Sequence, residues 1–107
     1  MTLKEWKLSL RSGRQMRCVY RWYWENGSKP KPEGGELCTI LHTKATQLIF
    51  CTPDTAKAYM YYPKASELKA TESGFELYFP IDPRLNNPAM CSFERSGKLM
   101  SRYEWVA

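Results

Sequence analysis

The chain has 107 residues, of which 43% are hydrophobic, 25% charged and 14% aromatic, and its formal net charge is +5. That length suits one domain, since two cores cut from it would each be too small to hold together, and the composition excludes wholesale disorder. No stretch approaches the roughly 20 apolar residues of a membrane span, and the opening MTLKEWKLSL lacks the apolar run of a signal peptide, so a cytoplasmic chain without membrane contact is expected.

The first run, Thr2 to Arg11, alternates Trp6, Leu8 and Leu10 with Glu5, Lys7, Ser9 and Arg11 and predicts a strand. Thr2 with Glu5 spells a capping box, which makes a short helix the alternative there. Ser12-Gly13 is a turn, and Gln15 to Glu25 predicts a second strand. Strict alternation sets Met16, Cys18, Tyr20, Trp22 and Trp24 on one face, and Arg17, Arg21 and Tyr23 on the other. Residues 26–36, NGSKPKPEGGE, read as a polar loop.

Leu37 to Thr43 and Gln47 to Thr52 predict two paired strands. Thr52-Pro53-Asp54 has the order of a helix start, with a hydroxyl cap, a proline at the first position and an acid in the first turn. A helix is therefore expected up to Pro63, with another turn or two between Lys64 and Thr71. Phe75 to Ile81 alternates as a half-buried strand, residues 82–88 form a loop, and Met90 to Glu94 with Lys98 to Val106 predict a closing hairpin. The sum is an α+β domain: a small antiparallel sheet of six or seven strands with one short helical segment inserted. RSGRQMRCVYRW from Arg11 echoes RSGKLMSRYEW from Arg95 when one gap is allowed, each a turn followed by an amphipathic, aromatic strand.

Little catalytic chemistry is spelled out. Cys18, Cys38, Cys51 and Cys91 are unevenly spaced and read as reduced thiols, a two-disulfide scaffold being the alternative. No metal is expected. Cys38 and His42 share a face but stand about 13 Å apart along a strand, too far for one tetrahedral ion. His42 is the only histidine, so any Ser–His or Cys–His dyad would need it, and alternation suggests a half-buried imidazole instead. No G-x-S-x-G, P-loop or dinucleotide fingerprint is present, and no catalytic residue or cofactor is assigned.

Leu48 to Tyr62, LIFCTPDTAKAYMYY, with GFELYFPIDPRL beyond it, resembles the middle of compact ADP-ribosyltransferase-like domains: a strand, a Thr-Pro-Asp helix start and an Ala-x-x-x-Tyr helix. That resemblance implies a small transferase with a nucleotide cofactor such as NAD as an enzymatic alternative.

The charge points elsewhere. Residues 1–31 carry eight Lys or Arg against Glu5 and Glu25, whereas the remainder carries eight basic and nine acidic residues. Arg11 and Arg14 flank the first turn, and Arg17, Arg21 and Tyr23 continue along the outward strand face, with Lys98 and Arg102 extending the patch if the last strand lies alongside. Arg17 and Arg21 would stand about 13 Å apart, two phosphate steps of an extended single strand. Arginine grips phosphate through paired donors and tyrosine stacks a base. The same residue types anchor protein interfaces. The sequence thus predicts a binding module whose basic hairpin engages nucleic acid or an acidic protein surface. The alternative is a protein-targeting inhibitor or adaptor, of the kind viruses and mobile elements carry, that touches no nucleic acid.

Overall fold

A computed structural model describes residues 1–25, 27, 29–81 and 95–107. Seven strands form one antiparallel sheet in the order β4-β3-β2-β1-β7-β6-β5. They are β1 (Gln15–Arg21), β2 (Glu36–Thr43), β3 (Gln47–Thr52), β4 (Thr55–Tyr61), β5 (Leu68–Ala70), β6 (Gly74–Tyr78) and β7 (Leu99–Trp105). The described residues also hold two helices, α1 (Leu3–Ser9) and the four-residue α2 (Trp22–Glu25), with a 3-10 turn at Ala65–Glu67. The expected α+β architecture is what the chain adopts. No helix of the described residues is long and apolar enough to cross a membrane.

The first element is the helix and not the strand. Thr2 N–H donates to Glu5 Oε1 at 3.0 Å and Glu5 N–H to Thr2 Oγ1 at 3.1 Å, so the capping box closes. Helical spacing then sends Trp6 and Leu10 into the core while Leu8 is left exposed. As a strand, the segment would have had to bury Leu8 with them. Trp6 is enclosed completely, with its ring edge-on to Phe75 at 5.1 Å and to Tyr62 at 6.2 Å. Phe75 in turn stacks on Tyr103 at 4.8 Å. Met16, Cys18, Cys38, Ile40, Leu48, Phe50 and Leu77 complete the core on one face of the sheet.

The predicted helix after Thr52 is a strand. Thr52 pairs with Thr55 across the Pro53-Asp54 turn, and β4 runs back along β3 with Met60 opposite Leu48 and Ala58 opposite Phe50. Proline and aspartate serve a tight turn as well as a helix start. The outcome is set by Tyr59 and Tyr61, which fit a pleated surface, and by the bare edge of β3. The helix on which the ADP-ribosyltransferase resemblance depended is therefore absent. The expected turn between Lys64 and Thr71 is the 3-10 turn followed by β5.

Two bulges correct the strict alternation. In β2 the register against β3 shifts between Ile40 and His42, so His42 is exposed beside Ile49 and does not share a face with Cys38. In β1 the register against β7 shifts between Cys18 and Tyr20, so Val19 is the extra residue. Cys18 pairs with the buried Tyr103, Tyr20 with the exposed Arg102, and Arg21 with the buried Ser101. Beyond the bulge every side chain of β1 lies on the face opposite to the one alternation assigns.

The internal echo has a structural counterpart. Arg14 N–H bonds Arg11 C=O at 3.0 Å and Lys98 N–H bonds Arg95 C=O at 3.0 Å, so Arg11–Arg14 and Arg95–Lys98 close the same four-residue turn. Gly13 and Gly97 take φ of +88° and +67°, the left-handed region that a side chain disfavours. The turns feed β1 and β7, which pair with one another. They are not two equivalent hairpins, however, because α1 precedes the first turn. The predicted loop at 82–88 and the strand at Met90 to Glu94 lie outside the described residues.

Candidate functional site

The bulge in β1 turns a half-buried guanidinium toward the core. Arg21, which alternation had placed outward, turns onto the core face, where its Nε donates to Cys18 Sγ at 3.0 Å and its Nη1 to the Tyr23 hydroxyl. Nη2 stands 2.9 Å from Glu36 Oε1, off the hydrogen-bonding direction, so this contact is an ion pair without a directed hydrogen bond. The rings of Tyr23 and Trp24 lie 5.7 and 5.6 Å from the guanidinium. Burial works against its charge, but Tyr103, Cys18 and Tyr23 outweigh it and hold Arg21 above its ordinary value. It is a fixed cation.

α2 follows directly and carries Trp22 to the end of the sheet. Trp22 meets Phe79 edge-on at 5.9 Å, Lys98 Nζ lies 5.5 Å from the Trp22 ring, and the Arg95 guanidinium lies 6.0 Å from Phe79. Trp22, Phe79 and Arg95 line a groove of about 700 Å³, floored by Phe50, Met60 and Tyr103, with Glu67 as an acidic member of its lining, and Lys98 stands beside it on the Trp22 ring. One wall is the segment from Tyr59 to Pro63. A smaller cavity of about 320 Å³ adjoins it across Arg21 and Tyr23, near Lys29 and Asp54. The larger groove is thus an apolar trough edged by rings, with Arg21, Arg95 and Lys98 over them.

The predicted site residues are divided by this geometry. Arg21 and Tyr23 line the groove, and Lys98 lies beside it, over Trp22. Arg17 and Arg102 lie on the opposite face of the sheet, where Arg17 is in register with Glu104 and Arg102 grips Glu76 Oε2 through Nε and Nη2 at 2.9 and 2.7 Å. A carboxylate stands opposite each of these two arginines, so they do not form a bare basic stripe. Arg14 is committed to structure, with its guanidinium 3.5 Å from the centre of the Trp105 ring and Nη1 donating to Ser9 C=O at 2.8 Å. Burial, with Arg11 nearby, lowers its affinity for a proton. Arg11 is exposed at the turn.

Arg95, Trp22 and Phe79 were missed as site residues. The repeated Arg-Ser-Gly turn was the available signal for Arg95, because its partner Lys98 had been singled out.

Neither Cys18 nor Cys38 lines the groove. Burial pushes the Cys38 thiol up to about 12 and raises Cys18 as well, so both are protonated at neutral pH. Cys18, Cys38 and Cys51 are free thiols. Among the described residues no three His, Cys, Asp or Glu side chains cluster as they would around a metal ion. No protein-family model, curated protein or solved structure matches the chain, so function has to be argued from the groove.

Proposed function

We propose that the chain is a binding module for single-stranded nucleic acid, with bases entering the aromatic groove at the α2 end of the sheet and phosphates meeting the cations at its rim. One observation carries this reading: Arg21, Lys98 and Arg95 each lie over a ring (Tyr23, Trp22 and Phe79), and all three rings line a single groove. Stacking surfaces interleaved with backbone-tracking cations are what sequence-tolerant single-strand binding requires. A duplex would not present free base faces to such a trough. The opposite face, where Glu76 and Glu104 accompany Arg102 and Arg17, is the weaker candidate.

Intrinsic fluorescence tests this reading. Adding an oligothymidylate should quench the Trp22 contribution to emission, and Trp22→Phe should lose most of that quenching. A protein whose emission is unchanged by saturating oligonucleotide at low salt has no base in the groove.

A further inference from the structure

α1 brings a second set of cations to the groove from outside it. Lys7 Nζ lies 4.8 Å from the centre of the Tyr62 ring, and Tyr62 belongs to the wall that borders the groove. Trp6 meets the same ring edge-on at 6.2 Å and is fully buried, so Tyr62 joins the core to Lys7.

Lys7 has company. Lys4 lies one turn before it, and Leu3, Trp6 and Leu10 turn inward, so the two lysines share the outer side of the helix with Leu8. Arg11 is exposed just past the C-cap Leu10. At helical rise the row from Lys4 to Arg11 is about 10 Å long. No carboxylate of the described residues pairs with any of the three. Glu5, the acid of α1, is drawn into the capping box, where it accepts from Thr2 N–H. The row is bare positive charge, unlike Arg17 and Arg102 with their opposed carboxylates.

A strand can leave the groove in two directions. Across Arg21 and Tyr23, the smaller cavity sets Glu36 and Asp54 against Lys29 and Arg21, a balance that does not favour phosphate. Past Tyr62 the next groups are Lys7 and its neighbours. Glu67, the one carboxylate among the described lining residues of the groove, has its Oε1 on Lys64 N–H at 2.9 Å.

We propose that a bound single strand leaves the groove over Tyr62 and runs on along α1, with its phosphates on Lys7, Lys4 and Arg11. The inference rests on the groove holding bases, and it extends the site to a segment outside the groove. Binding then depends on length, because a short strand meets the groove alone and a longer one also meets the helix.

Oligothymidylates of about 4 and about 12 nucleotides separate the two parts of this path. Anisotropy titrations of the full chain over a range of salt give a logarithmic slope for each length. Lys4→Gln with Arg11→Gln should lower the slope of the longer strand by about 1.4, since each phosphate released contributes roughly 0.7. The slope of the shorter strand should not move. Lys44→Gln with Lys57→Gln, an equal loss of exposed charge outside α1 and the groove lining, should change neither slope. A longer strand that keeps its full slope without Lys4 and Arg11 overturns the proposal and leaves the groove reading standing. A loss shared equally by both lengths, or matched by the Lys44 and Lys57 variant, overturns it as well. If the unaltered chain binds neither length, the groove reading fails and this path fails with it.

Discussion

The ammonium of Lys98 lies 5.5 Å from the ring centre of Trp22, the residue that follows the neighbouring strand. The relationship is repeated at the other end of the same strand pair, where Arg14 lies 3.5 Å from the ring centre of Trp105. Each Arg-Ser-Gly turn thus places a cation on the tryptophan at the far end of the strand beside it. The two ends differ in what surrounds them. Arg14 is half-buried and bonded to Ser9 C=O, whereas Lys98 is exposed at the groove.

That difference separates a stability effect from a binding effect. Arg14→Ala should cost about 1 kcal/mol, since it removes a partly desolvated cation–ring contact and a side chain that covers Trp105. Lys98→Ala should change stability by less than about 0.5 kcal/mol, as exposed substitutions do. Urea denaturation of the two variants checks this. Equal losses would show that the turns are structurally equivalent and that Lys98 is not held in reserve.

Arg21 and Glu36 predict a non-additive pair. Their side chains are 17% and 18% exposed, so removing the cation alone leaves a mostly buried carboxylate without its partner. Arg21→Met should cost about 2–3 kcal/mol, and Arg21→Met with Glu36→Gln should recover part of that loss. Chemical denaturation of the two single variants and the double variant gives the coupling. Independent, additive losses would mean that the 2.9 Å contact contributes nothing.

The thiols predict a pH dependence with a definite sign. Cys38 has an ordinary value of 9.0 and is raised to about 12 by burial, and Cys18 and Tyr103 move in the same direction for the same reason. The unfolded chain ionises first as pH rises, so the stabilisation is complete below about pH 9 and is lost progressively toward pH 12. The urea midpoint should be flat from pH 7 to 8.5 and fall above pH 9. Cys38→Ala should make that fall shallower by up to about 1.4 kcal/mol per pH unit. An unchanged slope in this variant would show that the thiol titrates as freely in the fold as outside it.

What the sequence made legible was whatever depends on local periodicity with a matching partner. β7 is readable because alternation and pairing agree in it, β2 and β3 because each is an apolar run, and the turn at Gly13 because its φ selects glycine. The first helix was misread although its capping box was visible, since Trp6, Leu8 and Leu10 satisfy a strand pattern equally well. β4 was misread because Thr-Pro-Asp serves a turn and a helix start alike, and only the free edge of β3 decides between them. The site suffered most from a single residue. Val19 as a bulge is invisible to alternation, yet it moves Arg21 from the outer face to the groove and separates it from Arg17.

The central claim is that the groove between Trp22, Phe79 and Arg21 holds bases while its cations hold phosphate, and fluorescence anisotropy of a labelled oligothymidylate tests it most directly. Titration with the chain at 50 and 200 mM salt should show binding that weakens as salt rises, because each phosphate neutralised on a single strand contributes about 0.7 to the logarithmic slope. Trp22→Ala should weaken binding about tenfold or more at either salt, the loss of one stacked base. Lys98→Ala with Arg95→Ala should reduce the slope by roughly one, whereas Arg17→Ala with Arg102→Ala on the opposite face should leave it unchanged. Binding lost with Arg17 and Arg102 but kept without Trp22 would contradict the account, as would no binding at 50 mM salt.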